Sequence, residues 1–280
     1  MNKYLIALDL DGTILYDFDS LSETLCEFMK EIQLYGHKIV IATGRPFRSS
    51  KFVYERFNLD TPIINYNGGL ITLPNKEGFP EINYTVKKDA IIDIFENNIE
   101  HIRNAFSEVY DEIYLYREEK EIEPLLHCDG ATDIVVGNLR DILKRDTNGF
   151  IIIGKQGRGK IIKEYIDNKY KGEVLCRIWN MSGEFDSILE VFTPESNKGK
   201  ALEYVANYLG FKRDQVIAIG DGHNDIEMLQ YANLGVCVRN SHPDLIKVAD
   251  IVLEHTSYEN AVYRFLSKYL MQNKKQRRFI

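Results

Sequence analysis

Residues 4–13 read YLIALDLDGT, five apolar residues running without a break into two aspartates, a glycine and a threonine. A short apolar run closed by turn residues predicts a strand buried on both faces, the kind found in the middle of a parallel sheet. Tyr4–Leu8 is therefore read as the first strand, with Asp9 at its carboxyl end. Downstream, Ser20 and Glu23 have capping-box spacing, and Leu21, Leu25, Phe28 and Ile32 keep helical period until Gly36. Lys38–Ala42 predicts a second strand, 47–57 a helix and Pro62–Tyr66 a third strand. The alternation resumes at Asn197, with a helix burying Ala201, Leu202, Val205 and Leu209 and then a strand at 215–219. Helices at 224–232, 243–249 and 257–271 alternate with strands at 234–238 and 250–253. Strands and helices in this order predict an α/β fold, a Rossmann-like doubly wound parallel sheet with helices on both faces.

The middle of the chain breaks the pattern. Strand-like pieces at 69–73 and 82–86 flank the turn residues Pro74, Asn75 and Gly78. Helices are expected at 88–106, 138–145 and 158–168, and strands near 112–117, 133–137, 150–153, 173–178 and 187–191. This predicts an α+β domain, 87–191, inserted into a core made of 1–86 and 192–280. Hinges are expected near 82–87 and 191–196, the latter holding Pro194.

Composition narrows the function. The chain has 280 residues, with 35 Lys and Arg against 42 Asp and Glu, so 35 − 42 = −7. An acidic protein has no field to draw in polyanions, which argues against nucleic acid as the main partner. No apolar run approaches the roughly 18 residues of a membrane span, and Tyr4–Leu8 meets Asp9 too soon to be a signal peptide. Cys26, Cys128, Cys176 and Cys237 lie far apart and are read as buried thiols of a reducing cytoplasm. A cytoplasmic protein is expected, with its oligomeric state left open. The basic stretch KKQRR at 274–278 is read as a solvated end.

Open α/β sheets bind ligands beyond the carboxyl ends of their strands. There the predicted strands are followed by Asp9-Leu10-Asp11-Gly12-Thr13, by Thr43-Gly44-Arg45, by Asn65-Tyr66-Asn67-Gly68-Gly69 and by Gly220-Asp221-Gly222-His223-Asn224-Asp225. Lys198 opens the helix after the insertion. Acids, a lysine and a hydroxyl at one edge describe a site for a hard cation and a phosphoryl group. Asp9, rigid at a strand end, suits a carboxylate nucleophile, and Asp11 suits general acid and base chemistry. Asp9, the carbonyl of Asp11 and Asp221 offer oxygens to Mg²⁺. Thr43, the N–H of Gly44, Lys198 and Asn224 are expected to hold the phosphoryl oxygens.

DLDGT at 9–13, TGR at 43–45, SNKGKAL at 196–202 and GDGHNDIEML at 220–229 resemble, in order, the four motifs of the haloacid dehalogenase-like superfamily. NYNGG at 65–69 and the large insertion resemble its Cof-type branch, whose cap is of the C2B kind. The resemblance implies that Asp9 is the nucleophile, Asp11 the general acid and base, Thr43 the second-motif hydroxyl and Lys198 the third-motif lysine. It further implies Asp221 as a magnesium ligand, Asp225 as its acidic partner in the metal site and Asn224 as a phosphate contact. An aspartate at position 11 goes with phosphoryl transfer in the family, not with dehalogenation. The expected function is a Mg²⁺-dependent phosphatase forming an aspartyl-phosphate from a small phosphorylated metabolite, a sugar phosphate or a relative, with the cap closing to select the leaving group. A sugar phosphomutase and a non-enzymatic phosphosugar sensor are the rivals.

Other motifs are read conservatively. Gly154–Lys160 (GKQGRGK) matches a phosphate-loop pattern, but Ile161 stands where the metal-binding Ser or Thr belongs, so a turn opening a helix is expected. His127, Cys128 and Asp129 lack a fourth metal ligand at suitable spacing. His223 is assigned no role. Trp179 either packs or stacks on substrate, and Arg45 either reaches substrate or forms a structural ion pair.

Overall fold

Leu5–Leu8 forms β1 with all four side chains fully buried. Burying its two leucines and isoleucine at ~1.5–3 kcal/mol each makes this short strand a rigid post. The computed structural model describes residues 3–17, 19–74, 76–179 and 185–275. After β1 come α1 (Glu23–Leu34), β2 (Lys38–Ile41), α2 (Phe47–Arg56), β3 (Ile63–Asn65) and β4 (Leu70–Thr72). The middle of the chain runs β5 (Ile82–Asn83), α3 (Lys88–Asn97), β6 (Ile102–Val109), β7 (Glu112–Leu115), α4 (Glu123–Leu126) and β8 (Asp133–Val136). It continues through α5 (Leu139–Ile142), β9 (Gly149–Gly154), α6 (Gly159–Tyr170), β10 (Leu175–Trp179) and β11 (Ile188–Phe192). The last part is α7 (Lys198–Leu209), β12 (Val216–Gly220), α8 (Ile226–Tyr231), β13 (Leu234–Cys237), α9 (Pro243–Ile246), β14 (Ile251–Val252) and α10 (Ala261–Lys275).

The chain forms two compact units. The first comprises 1–45, 50–81 and 197–280; the second comprises 46–49 and 82–196. In the first, five parallel strands stand in the order β14-β13-β12-β1-β2. A parallel bridge from Ala42 to Ile64 continues the sheet to β3. The chain steps outward one way from β1 to β2, and the other way from β12 to β13 and β14. The strand order thus reverses between β1 and β12, where a crevice opens at the carboxyl ends. Helices α1 and α10 pack together, with Phe28 edge-on to Tyr263, and α7 packs on α8. The doubly wound parallel core is as the alternation of elements foretold.

In the second unit a six-stranded sheet has the order β10-β11-β9-β6-β7-β8, antiparallel except for β7 with β8. Ile91, Ile94 and Phe95 of α3 and Ile162 and Ile166 of α6 share a core with Ala105, Val109, Ile152 and Val191. Phe106, Ile113, Leu115 and Ile153 share another core with Ile122 and Leu126. Arg48 is buried here. Its guanidinium pairs with Glu108 and donates to the carbonyls of Leu126 (2.8 Å) and His127 (3.0 Å), and its backbone N–H donates to Asp111 (3.0 Å). Burial pushes the Glu108 carboxyl up even against the Arg48 charge.

Four expectations are corrected. The helix read over 88–106 ends at Asn97, because the Asn98 side chain donates back to the Ile94 carbonyl (2.9 Å) and terminates it. The next element is β6, paired with both β7 and β9, in which Ala105 and Phe106 go to opposite cores with strand period. The first helix is capped by Ser22, not Ser20, and no side-chain bond forms there. In α7 the inward residue of the last turn is Ala206, and Leu209 is only half-buried. Cys26, Cys176 and Cys237 are buried thiols, but Cys128 is exposed in the loop after α4. Among the described residues no helix is long and apolar enough to cross a membrane. The KKQRR side chains lie outside what is described.

Candidate active site

Asp9 leaves β1 at the reversal of strand order, and its N–H donates to Ile219 of β12 (3.0 Å). One carboxylate oxygen takes the Lys198 Nζ at 2.6 Å, and the other takes the Thr13 hydroxyl at 3.1 Å. Lys198 is the first residue of α7, which Asn197 caps by accepting from the Lys200 N–H (2.9 Å). Its ammonium is fully buried and reaches Asp225 at 2.7 Å. The second oxygen of Asp225 accepts the backbone N–H groups of Asp221 (3.0 Å) and Gly222 (2.9 Å). That carboxylate therefore shapes the loop after β12 as well as pairing with the lysine. Thr13 Oγ1 also lies 2.9 Å from Asp221 Oδ1. A hydroxyl has one proton to give, so Thr13 serves one of the two carboxylates at a time.

The loop that brings these groups together depends on Gly12. Its φ is +77°, and a Cβ there would lie 2.3 Å from the Asp221 carboxylate. The N–H groups of Thr13, Ile14 and Leu15 all turn back onto the Leu10 carbonyl (2.8–3.2 Å). A tight turn thus presses directly on a neighbouring acid, which a larger residue would not allow.

Oxygens of Asp9, Asp221 and Asp225 lie within 4.8 Å of one another. Three carboxylates against one ammonium leave a buried negative excess. Burial, and then the charges of Asp225, Asp221 and Asp11, push the Asp9 carboxyl well above its ordinary range, with Lys198 opposing. Burial and Asp225 push Asp221 up to about 6. Burial works against the Lys198 charge, but Asp225 and Asp9 outweigh it and hold its pKa above the usual lysine range. An all-oxygen donor set with uncompensated charge fits a hard divalent cation.

Asp11 stands apart from this group. Arg45, itself buried, grips its carboxylate with two bonds, Nε at 2.8 Å and a terminal nitrogen at 2.5 Å. Of the two readings of Arg45, the ion pair is the one observed. The Asp11 side chain is turned to that arginine rather than into the carboxylate cluster; the oxygen expected to serve the metal was its backbone carbonyl, which this pairing does not involve. Thr43 is fully buried, and its hydroxyl oxygen accepts the Arg45 N–H (3.1 Å). Asn224 donates to Asn67 at 2.8 Å.

Sequence reasoning passed over Thr13, Asn67 and the partner of Asp11. Thr13 sat inside a quoted motif, and its hydroxyl beside two acids was the available signal. Asn67 and Arg45 act over 157 and 34 residues of separation, which no local pattern reports. The remaining candidates are structural. The Gly157 N–H donates to the Asp186 carboxylate (2.7 Å) in the turn before α6. His127 is the left-handed cap of α4, and His223 stacks edge-on to His242. The Trp179 indole donates to Glu190 (3.2 Å), whose carboxylate lies 3.7 Å from Arg177.

A parallel sheet with acids at its switch point and an α+β insertion defines the haloacid dehalogenase-like class of hydrolases. The chain belongs to that family, whose model matches residues 6–266. It is 31% identical over 269 residues to the 5-amino-6-(5-phospho-D-ribitylamino)uracil phosphatase YitU of Bacillus subtilis, covering 95% of this chain and 97% of that one. A haloacid dehalogenase-like hydrolase from Bacteroides thetaiotaomicron superposes with a TM-score of 0.81 at 22% identity, over 95% of this chain and 99% of that one. The subclass IIB sugar phosphatase BT4131 superposes with a TM-score of 0.76 at 17% identity, over 95% and 99%. The Cof-type resemblance read from the four motifs is borne out, as is the expectation of an enzyme of the phosphatase class.

Proposed function

We propose that the protein is a Mg²⁺-dependent phosphatase that hydrolyses a small phosphorylated metabolite through an aspartyl-phosphate on Asp9. The observation that carries this reading is the constellation of buried Asp9, Lys198 and Asp225 with half-buried Asp221, in which a strand-end carboxylate is held by a lysine beside two further acids. Asp9, Asp221 and Asp225 would hold the metal, which supplies positive charge to offset the phosphoryl oxygens. A lone pair of the Asp9 carboxylate attacks phosphorus as the ester P–O bond breaks, and Asp11, exchanging one bond of the Arg45 fork for a proton, gives that proton to the leaving oxygen. Water then attacks the aspartyl-phosphate, Asp11 takes a proton from it, and inorganic phosphate leaves as the Asp9 carboxylate is restored. Lys198, Thr43, Gly44 and Asn224 stabilise charge on the transferring oxygens.

The inserted domain, drawn from sequence as 87–191, selects the leaving group. A relative named for a phosphoribityl substrate and a structural neighbour described as a sugar phosphatase favour a phosphorylated polyol or sugar. The test is phosphate release from a panel of sugar, polyol, nucleotide and cofactor phosphates with Mg²⁺. Release of phosphate in step with the free alcohol supports the hydrolase. Transfer to a second sugar without free phosphate would replace it with a mutase, and binding without turnover would replace it with a sensor.

A further inference from the structure

We infer that Asn67 is a positioning residue that aims two phosphate donors at once, the Gly44 N–H through its backbone and the Asn224 amide through its side chain. This rests on the phosphatase reading of the same site and adds to it a residue outside the four motifs. Asn67 follows Tyr66, and both adopt left-handed backbone, with φ of 55° and 49°. Two consecutive residues with side chains in that region need support from their surroundings, and such positions gather at functional sites.

The support is visible. The Asn67 N–H donates to the Thr43 carbonyl at 2.9 Å. That carbonyl and the Gly44 N–H belong to one peptide group, and the chain has no cis bonds among the described residues. In a planar trans peptide the two point in opposite directions. Fixing the Thr43 carbonyl onto Asn67 therefore fixes the Gly44 N–H to face the other way. The neighbouring Arg45 carbonyl is held by the same loop, through the Asn65 side chain (2.9 Å) and the Tyr66 N–H (3.3 Å). Gly44 itself lies against Asn67, since a Cβ on Gly44 would come within 3.2 Å of the Asn67 amide.

The Asn67 side-chain oxygen accepts one N–H of the Asn224 amide at 2.8 Å. The second N–H of that nitrogen is fixed in direction by the first, because the amide is planar. Asn67 thus joins the loop after β2 to the loop after β12, and sets a backbone donor in one and a side-chain donor in the other. Its loop is tied down in turn, for Gly68 lies so close to Asn197 that a Cβ would meet that residue's carbonyl at 2.6 Å. Asn197 caps the helix that Lys198 opens.

The experiment compares full-length wild type with Asn67→Gly, Asn67→Asp, Asn224→Ala and the Asn67→Gly/Asn224→Ala double variant, with Mg²⁺ present. The readouts are kcat, KM, inhibition by inorganic phosphate, and melting temperature. Glycine accepts the left-handed backbone and keeps the N–H, so Asn67→Gly removes the side-chain tie while leaving the N–H able to meet the Thr43 carbonyl. It is expected to weaken phosphate inhibition and lower kcat/KM about tenfold, the scale of one misdirected hydrogen bond. Asn224→Ala should lose a similar factor, and the double variant should lose no more than Asn224→Ala alone. Asn67→Asp keeps the acceptor but adds a buried charge beside the phosphate donors and the site acids, so it should raise KM and also lower the melting temperature. Multiplying losses in the double variant, or wild-type phosphate inhibition in Asn67→Gly, would overturn the inference while leaving the phosphatase reading intact. A wild type with no turnover on any phosphate ester would refute that reading instead. Phosphate binding by calorimetry on the same variants would then decide the role of Asn67 alone.

Discussion

Replacing Lys198 by methionine removes the one ammonium that touches both Asp9 and Asp225, at 2.6 and 2.7 Å, and keeps an apolar stem of similar length. Lysine and both carboxylates are almost completely buried. In the native protein three acids share one cation; in the variant they share none. Breaking a buried pair by deleting one partner costs roughly 3–5 kcal/mol, because the survivors stay desolvated and uncompensated. For a unit of this size that corresponds to a fall in melting temperature of roughly 6–20 °C. The expected result, by calorimetry without divalent metal, is a fall in that range together with loss of turnover. Adding Mg²⁺ should raise the melting temperature more in Lys198→Met than in wild type, because the added charge replaces what was removed. The further change Asp225→Asn in the same chain should recover part of the stability, with a coupling of about 1 kcal/mol or more. A Lys198→Met protein as stable as wild type in EDTA would refute the idea that the lysine holds this cluster together.

EDTA should abolish activity and Mg²⁺ restore it, whereas Ca²⁺, with its larger and looser shell, should inhibit; full activity in chelator would remove the metal from the account. Arg45→Ala should lower kcat by about tenfold to a hundredfold on sugar phosphates, since Asp11 loses the fork that orients it. The loss should be smaller on p-nitrophenyl phosphate, whose leaving group needs little protonation, and equal losses on both would count against Asp11 as the acid. In the second unit, Arg48→Ala strands Glu108 in a dry site and should destabilise by roughly 3–5 kcal/mol, with Arg48→Ala/Glu108→Gln recovering part of it in the same melting assay.

The core was legible because its strands are short and apolar, and two of them, β1 and β12, are followed at once by acids. Leu5–Leu8 carries no residue that suits water, and Asp9 can only sit where the strand meets its ligand edge. The order of β1, β2, β12, β13 and β14 then brings Asp9 and Asp221 to adjacent strands. In the second unit β6 was hidden because IRNAFSEV comes soon after a true helix and mixes polar with apolar residues. Its strand character comes from pairing with β7 and β9, and the side chain that ends the helix, Asn98, is a tertiary detail. The identity of the site acids was readable, but their partners were not. Whether Asp11 faces the metal cluster or Arg45, and whether Arg48 is a surface cation or a buried tie to Glu108, depends on contacts 34 and 60 residues away.

The central claim is that Asp9 is phosphorylated during turnover. The direct measurement is to quench the enzyme in acid during turnover of a substrate identified in the screen, and to map the added phosphoryl group by mass spectrometry after rapid digestion at low pH. The expected result is a phosphoryl mass on the peptide containing Asp9, absent in Asp9→Asn, which should remain folded and inactive. Turnover with no label on that peptide, or substantial activity in Asp9→Asn, would contradict the account.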